Sequence, residues 1–552
     1  MKKLLITALL LGTFVGCMNS PIDQVAETIT EKSLMKPITR LSSNKFMGRA
    51  TGTMGELRTV DYLVNKLEEY GLEGGAEDGG FIQDVPLVGQ KTAEDTQVQI
   101  RKNGNVIHQF DYYSDFVAWP SNLQEEVSID EAELVYVGYG IQAPEENWND
   151  FKDTNVEGKI LVVKNNDPSD DPDLFGGETR LYYGRYDYKY EKARELGAAG
   201  VLIVHTTPSA GYGWEVVANS WSRERFYLRG NEAMKDSPTK MNGWLTKEAS
   251  TTLFESAGLN LEDQLEAAED RDFEPVPLDG LSLSLDLEAK YRQQDAKNVL
   301  GVIEGSSDRL KDDYLVFTAH HDHLGVTSPV EGDSINNGAL DNAAGVSAVL
   351  NMARAYKEIQ PQLKRSMLFL FVGAEEVGLL GSQYWAENPT VHPGKVSANI
   401  NLDGMNVYGK TKDLVLIGYD RNSVSDVIEK VAEERGRVVK ADPHPDRGYF
   451  YRSDHFSLAK KGIPAIFPNR GTEFIDKPEG YSAMVDSLQD ANYHNVNDEI
   501  NTHWDLSGMK ADVRLFFDAG YRIANADEMQ TWRQGNEFKQ SRLDMIQDAS
   551  SN

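Results

Sequence analysis

Residues 314–325 read YLVFTAHHDHLG, an apolar run that ends in three histidines and an aspartate. A run with apolar side chains on both faces is typical of a strand inside a sheet that helices cover on both sides. Similar runs recur along the second half of the chain, and helical patterns separate several of them. The sequence therefore predicts an α/β fold with a mixed, mostly parallel sheet covered by helices. The other predicted strands lie at 298–305, 366–374, 396–402, 414–419 and 463–469.

The size and composition of the chain limit what it can be. Its 552 residues are too many for one ordinary core, so two domains or one domain with a large insertion are expected. A formal net charge of −31 argues against a nucleic-acid partner, which would require a basic face. The single cysteine rules out an intrachain disulfide and makes a cysteine-ligated metal site implausible. Any metal ion would therefore be held by histidine and carboxylate side chains.

The first seventeen residues, MKKLLITALLLGTFVGC, have the pattern of an export signal. Two lysines precede an apolar segment that is too short for a stable membrane span. The ending FVGC resembles a bacterial lipobox, which predicts that Cys17 becomes the lipidated first residue of the mature chain. The alternative is an ordinary cleaved signal with an incidental cysteine. We expect an exported protein that is lipid-anchored to a bacterial membrane, with Met18 favouring the outer membrane and a location facing the periplasm.

Side chains that can bind metal or transfer protons follow several predicted strands. They stand at the carboxyl ends of these strands, where binding sites form in sheets of this kind. Imidazole and carboxylate groups together, without cysteine, are typical of a zinc site, and two metal ions can share one bridging carboxylate. Asp322 is placed to orient His320. One of two adjacent glutamates can bind metal while the other faces the substrate as a general base. The candidates are His320, Asp322, Asp341, Glu375, Glu376, Asp403, Tyr493 and His494.

Five motifs carry a resemblance to a known family. The segments AHHDHLG, GALDNAAGVSAVL, GAEEVGLLGS, NLDG and YHNVNDE, between residues 319 and 499, resemble the motifs of dinuclear-zinc exopeptidases. This family, clan MH, is typified by bacterial leucyl aminopeptidases and glutamate carboxypeptidase II. The block that begins near Glu131 resembles the protease-associated (PA) domain that many members carry as an insertion. The resemblance implies a zinc aminopeptidase fold with an inserted α/β PA domain.

The resemblance also implies a role for each candidate. Glu375 would be the general base, Asp322 would orient His320, and Tyr493 would either donate a hydrogen bond to the oxyanion or simply pack. His321 is expected to point away from the site, and His323 to line the rim or cap the turn. The implied ligands of two Zn²⁺ ions are His320 and Asp403 for one, Glu376 and His494 for the other, and Asp341 as the bridge.

The implied function is hydrolysis of peptide substrates by a metallo-exopeptidase, most simply an aminopeptidase. A carboxypeptidase of the same fold is the alternative, and a non-catalytic binding protein is a more distant one. Further candidates are Tyr449, Phe450 and Tyr451 for specificity, and Arg447, Arg452 and Arg470 for a terminal carboxylate. The predicted division is a signal peptide at 1–16, a tether at 17–27, the N-terminal part of the peptidase at 28–128, the PA domain at 129–288, the catalytic domain at 289–530 and a polar tail at 531–552.

Overall fold

The computed structural model describes residues 21–551, except for residues 170, 173 and 231, so the predicted signal sequence and Cys17 lie outside the described residues. None of the helices in this part of the chain combines the length and apolar composition needed to cross a bilayer. The strands are β1 Glu73–Gly74, β2 Ile82–Thr92, β3 Gln97–Lys102, β4 Asn105–Asp111, β5 Phe116–Pro120, β6 Glu126–Tyr136, β7 Gln142–Ala143, β8 Trp148–Asn149, β9 Ile160–Lys164, β10 Gly200–Val204, β11 Arg225–Leu228, β12 Met241–Leu245, β13 Val276–Ile303, β14 Tyr314–His320, β15 Gly325–Val330, β16 Asp333–Asn336, β17 Ser366–Val372, β18 Val396–Asn401, β19 Asp413–Ile417, β20 Val438–Lys440 and β21 Ala465–Asn469. The α-helices are α1 Pro21–Ala26, α2 Glu31–Leu41, α3 Met54–Tyr70, α4 Tyr186–Glu195, α5 Thr207–Ala210, α6 Trp214–Trp221, α7 Glu232–Lys235, α8 Lys247–Ser256, α9 Leu261–Ala267, α10 Gly345–Glu358, α11 Leu380–Glu387, α12 Val424–Glu434, α13 His455–Lys460, α14 Tyr481–Asn492, α15 Ser507–Asn525 and α16 Lys539–Ser551.

The first unit of the molecule is built on a mixed sheet. Its central strands run parallel in the order β17, β14, β18 and β21. Antiparallel strands flank them, with β13 and β2 on one side and β19 on the other. This arrangement confirms the predicted α/β class.

Both faces of this sheet are covered, which explains why its strands are apolar throughout. Leu315 and Phe317 of β14 enter the larger core together with residues of α2, α3, α10 and α15. Val316, which lies between them, enters a separate core on the opposite face, with residues of α11 and α13. Alternate residues of a strand point to opposite faces, so each face of β14 must be apolar.

A second unit has its own sheet and its own hydrophobic core. Its strands pair in the order β4, β3, β13, β6, β9, β10, β12 and β5. Val98 of β3 and Phe116 of β5 belong to this core. Residues 97–120 thus lie in the second unit, whereas the sequence placed them in the segment before residue 129. That this unit is a PA domain stays a prediction.

The C-terminal segment packs against the first unit and is not a separate polar tail. Trp532 and Phe538 are buried together with residues of α13. The fully buried Arg542 donates a hydrogen bond from Nη1 to the carbonyl oxygen of Val396, at 2.8 Å. The sequence predicted a polar tail because residues 531–552 are polar on average, and these few buried positions barely change that average.

Candidate metal centre and active site

The parallel strands bring the candidate residues to one edge of the sheet. His320 is the last residue of β14 and aligns with Val372, the last residue of β17. Glu375 follows Val372 by three positions, and Asp403 follows the end of the adjacent strand β18 by two. Because the carboxyl ends of parallel strands coincide, these side chains converge although they are far apart in sequence.

The five predicted metal ligands form one cluster. His320 Nε2 lies 3.1 Å from Asp341 Oδ1 and 3.1 Å from Asp403 Oδ1. His494 Nε2 lies 3.3 Å from Asp341 Oδ2 and 3.1 Å from Glu376 Oε2. The two carboxylate oxygens of Asp341 therefore face two separate sets of donor atoms.

The spacing and chemistry of these atoms fit zinc. Zinc–ligand bonds of about 2.0–2.2 Å in a tetrahedron place neighbouring ligand atoms about 3.3–3.6 Å apart, slightly more than the separations of the donor atoms seen here. Among the described residues, the ion pairs of Asp341, Glu376 and Asp403 are with histidine side chains and not with lysine or arginine. The donors are imidazole nitrogen and carboxylate oxygen, the ligand types that bind zinc.

The electrostatics of the cluster favour a bound cation. Burial and the nearby carboxylates of Glu376 and Asp403 raise the pKa of Glu375 well above its usual value, against the opposing effect of His320. Burial would lower the pKa of His494, but its hydrogen bonds to Asp341 and Glu376 raise that pKa to about 10. The rise at His494, and the part of the rise at Glu375 that comes from Glu376 and Asp403, reflect the negative charge of the cluster, which a divalent ion would neutralise.

Asp322 has different contacts from those that the sequence predicted. Its carboxylate Oδ1 lies 3.9 Å from His320 Nδ1, too far for a hydrogen bond, whereas its backbone oxygen lies 3.3 Å from the same nitrogen. The carboxylate instead accepts the backbone N–H groups of Glu375, at 3.1 Å, and Glu376, at 3.2 Å. The predicted carboxylate–histidine contact is therefore corrected: Asp322 holds the turn that carries both glutamates.

A buried hydrogen-bond chain holds Asp403. Thr318 Oγ1 donates to Asn401 Oδ1 at 2.6 Å, and Asn401 Nδ2 donates to Ser453 Oγ at 2.7 Å. Ser453 Oγ in turn donates to Asp403 Oδ2 at 2.5 Å, which leaves Oδ1 directed at His320. Such partners orient metal ligands. Sequence reasoning missed Ser453 because it lies 50 positions from Asp403.

Two further charged residues support the loop that carries Asp341. The guanidinium of Arg49, fully buried, donates to the backbone oxygens of His321, Asn337 and Gly338 at 3.0, 2.6 and 2.9 Å. Asp498 accepts the backbone N–H of Asp341 at 3.0 Å. Asp498 belongs to the motif YHNVNDE, which was the available signal, but a role for Arg49 had no local signal.

The other two histidines of the segment 314–325 differ in their contacts. His321 points away from the cluster, as expected, with Nε2 at 2.8 Å from the backbone oxygen of Lys297. His323 was expected at the rim or capping the turn, but it is fully buried with Nδ1 at 2.7 Å from Glu376 Oε1. The expectation was wrong, because the imidazole is buried against a carboxylate of the cluster.

A cavity of about 1320 Å³ opens over the cluster and is bordered by both units. His320, Glu375 and His494 lie in its wall, and the second unit contributes Trp119 and Arg185. A substrate that reaches the cluster would therefore also face the second unit.

The predicted substrate-contact residues only partly face this cavity. Tyr449 and Tyr451 line it, whereas Phe450 is buried beneath the guanidinium of Arg421, 4.3 Å from the ring centroid. Tyr493 also lines the cavity, is 60% exposed, and stacks on the His494 ring with centroids 3.9 Å apart. The predicted arginines at 447, 452 and 470 line the cavity as well.

Comparison with known proteins gives local sequence matches. The chain is 30% identical over 135 residues to leupeptin-inactivating enzyme 1 of Streptomyces exfoliatus, which covers 24% of this chain and 29% of that protein. It is 31% identical over 114 residues to aminopeptidase YwaD of Bacillus subtilis, covering 20% and 22%. The chain thus spans less than a third of the length of these two curated relatives.

Solved structures are similar over a longer range. The aminopeptidase from Aneurinibacillus sp. strain AM-1 shares 20% identity with a TM-score of 0.49, over 92% of this chain and 97% of that one. The family model described as "Peptidase family M28" matches residues 298–517, the segment that contains every candidate ligand. Residues 298–517 of this chain are therefore similar to peptidase family M28.

Proposed function

We propose that the protein is a zinc-dependent aminopeptidase that removes N-terminal residues from peptides. The observation that supports it most is the position of Asp341 between His320 and His494, with one carboxylate oxygen toward each. This is the arrangement that two metal ions sharing a bridging carboxylate require. His320 and Asp403 would hold one zinc ion, and Glu376 and His494 the other.

The reaction would be divided between the metal ions and the side chains. Zinc bound in the cluster would supply Lewis acidity and a water molecule of lowered pKa. Glu375, in the cavity wall beside His320 and Glu376, would take a proton from the attacking water and deliver it to the leaving amine. Tyr493 would donate a hydrogen bond to the oxyanion from its place beside His494.

The similarity to aminopeptidase YwaD of Bacillus subtilis, over 20% of this chain, favours a substrate with a free amino terminus. A carboxypeptidase is the second candidate because Arg447 and Arg452 line the same cavity. Export and lipid anchoring through Cys17 are part of the proposal on the strength of the N-terminal sequence.

Peptides blocked at one end test the proposal directly. We expect a peptide with a free amino terminus and an amidated C-terminus to be hydrolysed. The same sequence with an acetylated amino terminus and a free C-terminal carboxylate should resist, because it lacks the ammonium group. Removal of metal by a chelator should abolish hydrolysis and added zinc should restore it, with metal content followed by elemental analysis. Cleavage of only the N-acetylated peptide would establish the carboxypeptidase instead. Hydrolysis by demonstrably metal-free protein would contradict both.

A further inference from the structure

His323 divides the carboxylate of Glu376 between two partners. Its Nδ1 lies 2.7 Å from Glu376 Oε1, whereas the other oxygen, Oε2, lies 3.1 Å from His494 Nε2. The His323 side chain is fully buried and Glu376 is 4% exposed, so water does not compete effectively for this contact. Each oxygen of Glu376 thus has its own imidazole.

The distances favour a hydrogen bond over a third ligand at the same ion. His494 Nε2 is 3.3 Å from Asp341 Oδ2, but His323 Nδ1 is 4.0 Å from that oxygen. A separation of 2.7 Å between nitrogen and oxygen is the usual length of a charge-assisted hydrogen bond. His323 therefore contacts the far side of Glu376 and lies outside the set of atoms around Asp341 Oδ2.

The fold keeps the His323 ring in this place. A Cβ atom at Gly338 would lie 2.6 Å from His323 Cδ2, so only glycine leaves room for the imidazole. Nε2 of His323 is buried and has no hydrogen-bond partner among the described residues. The bond to Glu376 is consequently the polar contact that orients the ring.

We propose that His323 is a positioning residue for the Glu376 side of the metal centre. By donating from Nδ1 to Glu376 Oε1, it directs Oε2 toward the zinc ion that Glu376 shares with His494. This inference rests on the proposed function, since it concerns one of the two proposed zinc ions. It predicts that His323 controls the affinity of that ion and leaves the ion at His320 and Asp403 unaffected.

Zinc binding to the full-length chain tests the proposal through chelator competition and elemental analysis. For His323→Ala we expect one of two zinc ions to bind roughly 10–100-fold more weakly. This is the usual effect of losing a residue that hydrogen-bonds to a metal ligand. His323→Asn should restore most of that affinity, because the Asn amide nitrogen lies close to the position of Nδ1 and can donate. As a control, His321→Asn changes the neighbouring buried histidine, which bonds to Lys297, and should keep both zinc affinities.

Each outcome has a distinct meaning. Unchanged zinc affinity in His323→Ala would overturn the proposal, as would equal weakening of both ions. If His323→Asn binds zinc as weakly as His323→Ala while the metal-free proteins unfold at similar temperatures, the imidazole is itself a ligand and the positioning role is wrong. If the unaltered chain binds no zinc, the proposed function fails instead.

Discussion

Glu375 and Glu376 are adjacent in sequence but have different surroundings. The backbone N–H groups of both are held by the carboxylate of Asp322. Beyond that shared anchor, Glu376 contacts His323 and His494, whereas Glu375 lies near His320. Both glutamates line the cavity, so the turn after β17 brings two carboxylates to the site with different imidazole neighbours.

Substitution of the two glutamates should consequently have different effects on zinc content and turnover. Glu376→Ala removes a proposed ligand, so we expect loss of about one zinc ion and a lower unfolding temperature in the presence of zinc. Glu375→Ala should retain two zinc ions and lose roughly 10²–10⁴-fold in kcat, the range for a general acid–base group. KM should change much less, since little ground-state binding is lost.

Elemental analysis beside steady-state kinetics measures both effects. Glu375→Gln is the matched control, because it keeps the volume of the side chain and removes only the basic oxygen. If Glu375→Ala empties the site and Glu376→Ala leaves it full, the two roles are reversed. Full turnover in both variants would place the reaction elsewhere.

Among the structural elements, the turn ahead of α10 is tightly confined. Gly338 has φ +53°, and an added Cβ would lie 2.2 Å from the backbone oxygen of Asp341 and 2.6 Å from Arg49 Nη2. Arg49 binds this turn from the N-terminal segment, and Asp498 binds it from the loop after α14. Two segments that are distant in the chain therefore hold the turn that carries Asp341.

Gly338→Ala should both destabilise the protein and weaken zinc binding. The left-handed backbone alone costs about 1–2 kcal/mol for a residue with a Cβ atom. Overpacking against Asp341 and Arg49 should add roughly 1–3 kcal/mol. Gly332→Ala is the control, because Gly332 has φ +93° with no atom within 4 Å of an added Cβ. Denaturant unfolding and zinc titration should separate the two variants, and equal effects would show that the turn tolerates a side chain.

At the scale of the whole molecule, two sheets share one long strand. The first part of β13 pairs with β3 and β6 in the second unit, and its last residues pair with β17 in the first. The cavity over the cluster is bordered by both units. Both units therefore border the space through which a substrate would reach the cluster.

The predicted lipid anchor belongs to this scale as well. Cys17→Ser should move the protein from the membrane fraction to the soluble fraction, because a lipid chain on Cys17 would be the proposed attachment. Zinc content and peptide hydrolysis should stay unchanged, since the cluster lies more than 300 positions farther along the chain. Fractionation and mass spectrometry of the N-terminal peptide measure this. A wholly soluble native protein without lipid would reject the anchor.

Sequence patterns alone predicted the central sheet, and the resemblance of five motifs to a known family named the candidate ligands. The segments 314–320, 366–372 and 396–401 form the predicted strands, because only a strand covered on both faces requires an unbroken apolar run. Histidine and carboxylate residues directly after these strands marked the site, since chain order and strand ends are readable from the sequence.

Only the tertiary structure decided which atoms these residues contact. The carboxylate of Asp322 holds the glutamate turn and not His320, and His323 is buried against Glu376 and not at the rim. The extent of the second unit also depended on strand pairing that joins residues 97–102 to 281–285. The direction of a side chain and the pairing of distant strands depend on how segments far apart in the chain pack together. The local sequence pattern does not specify either of them.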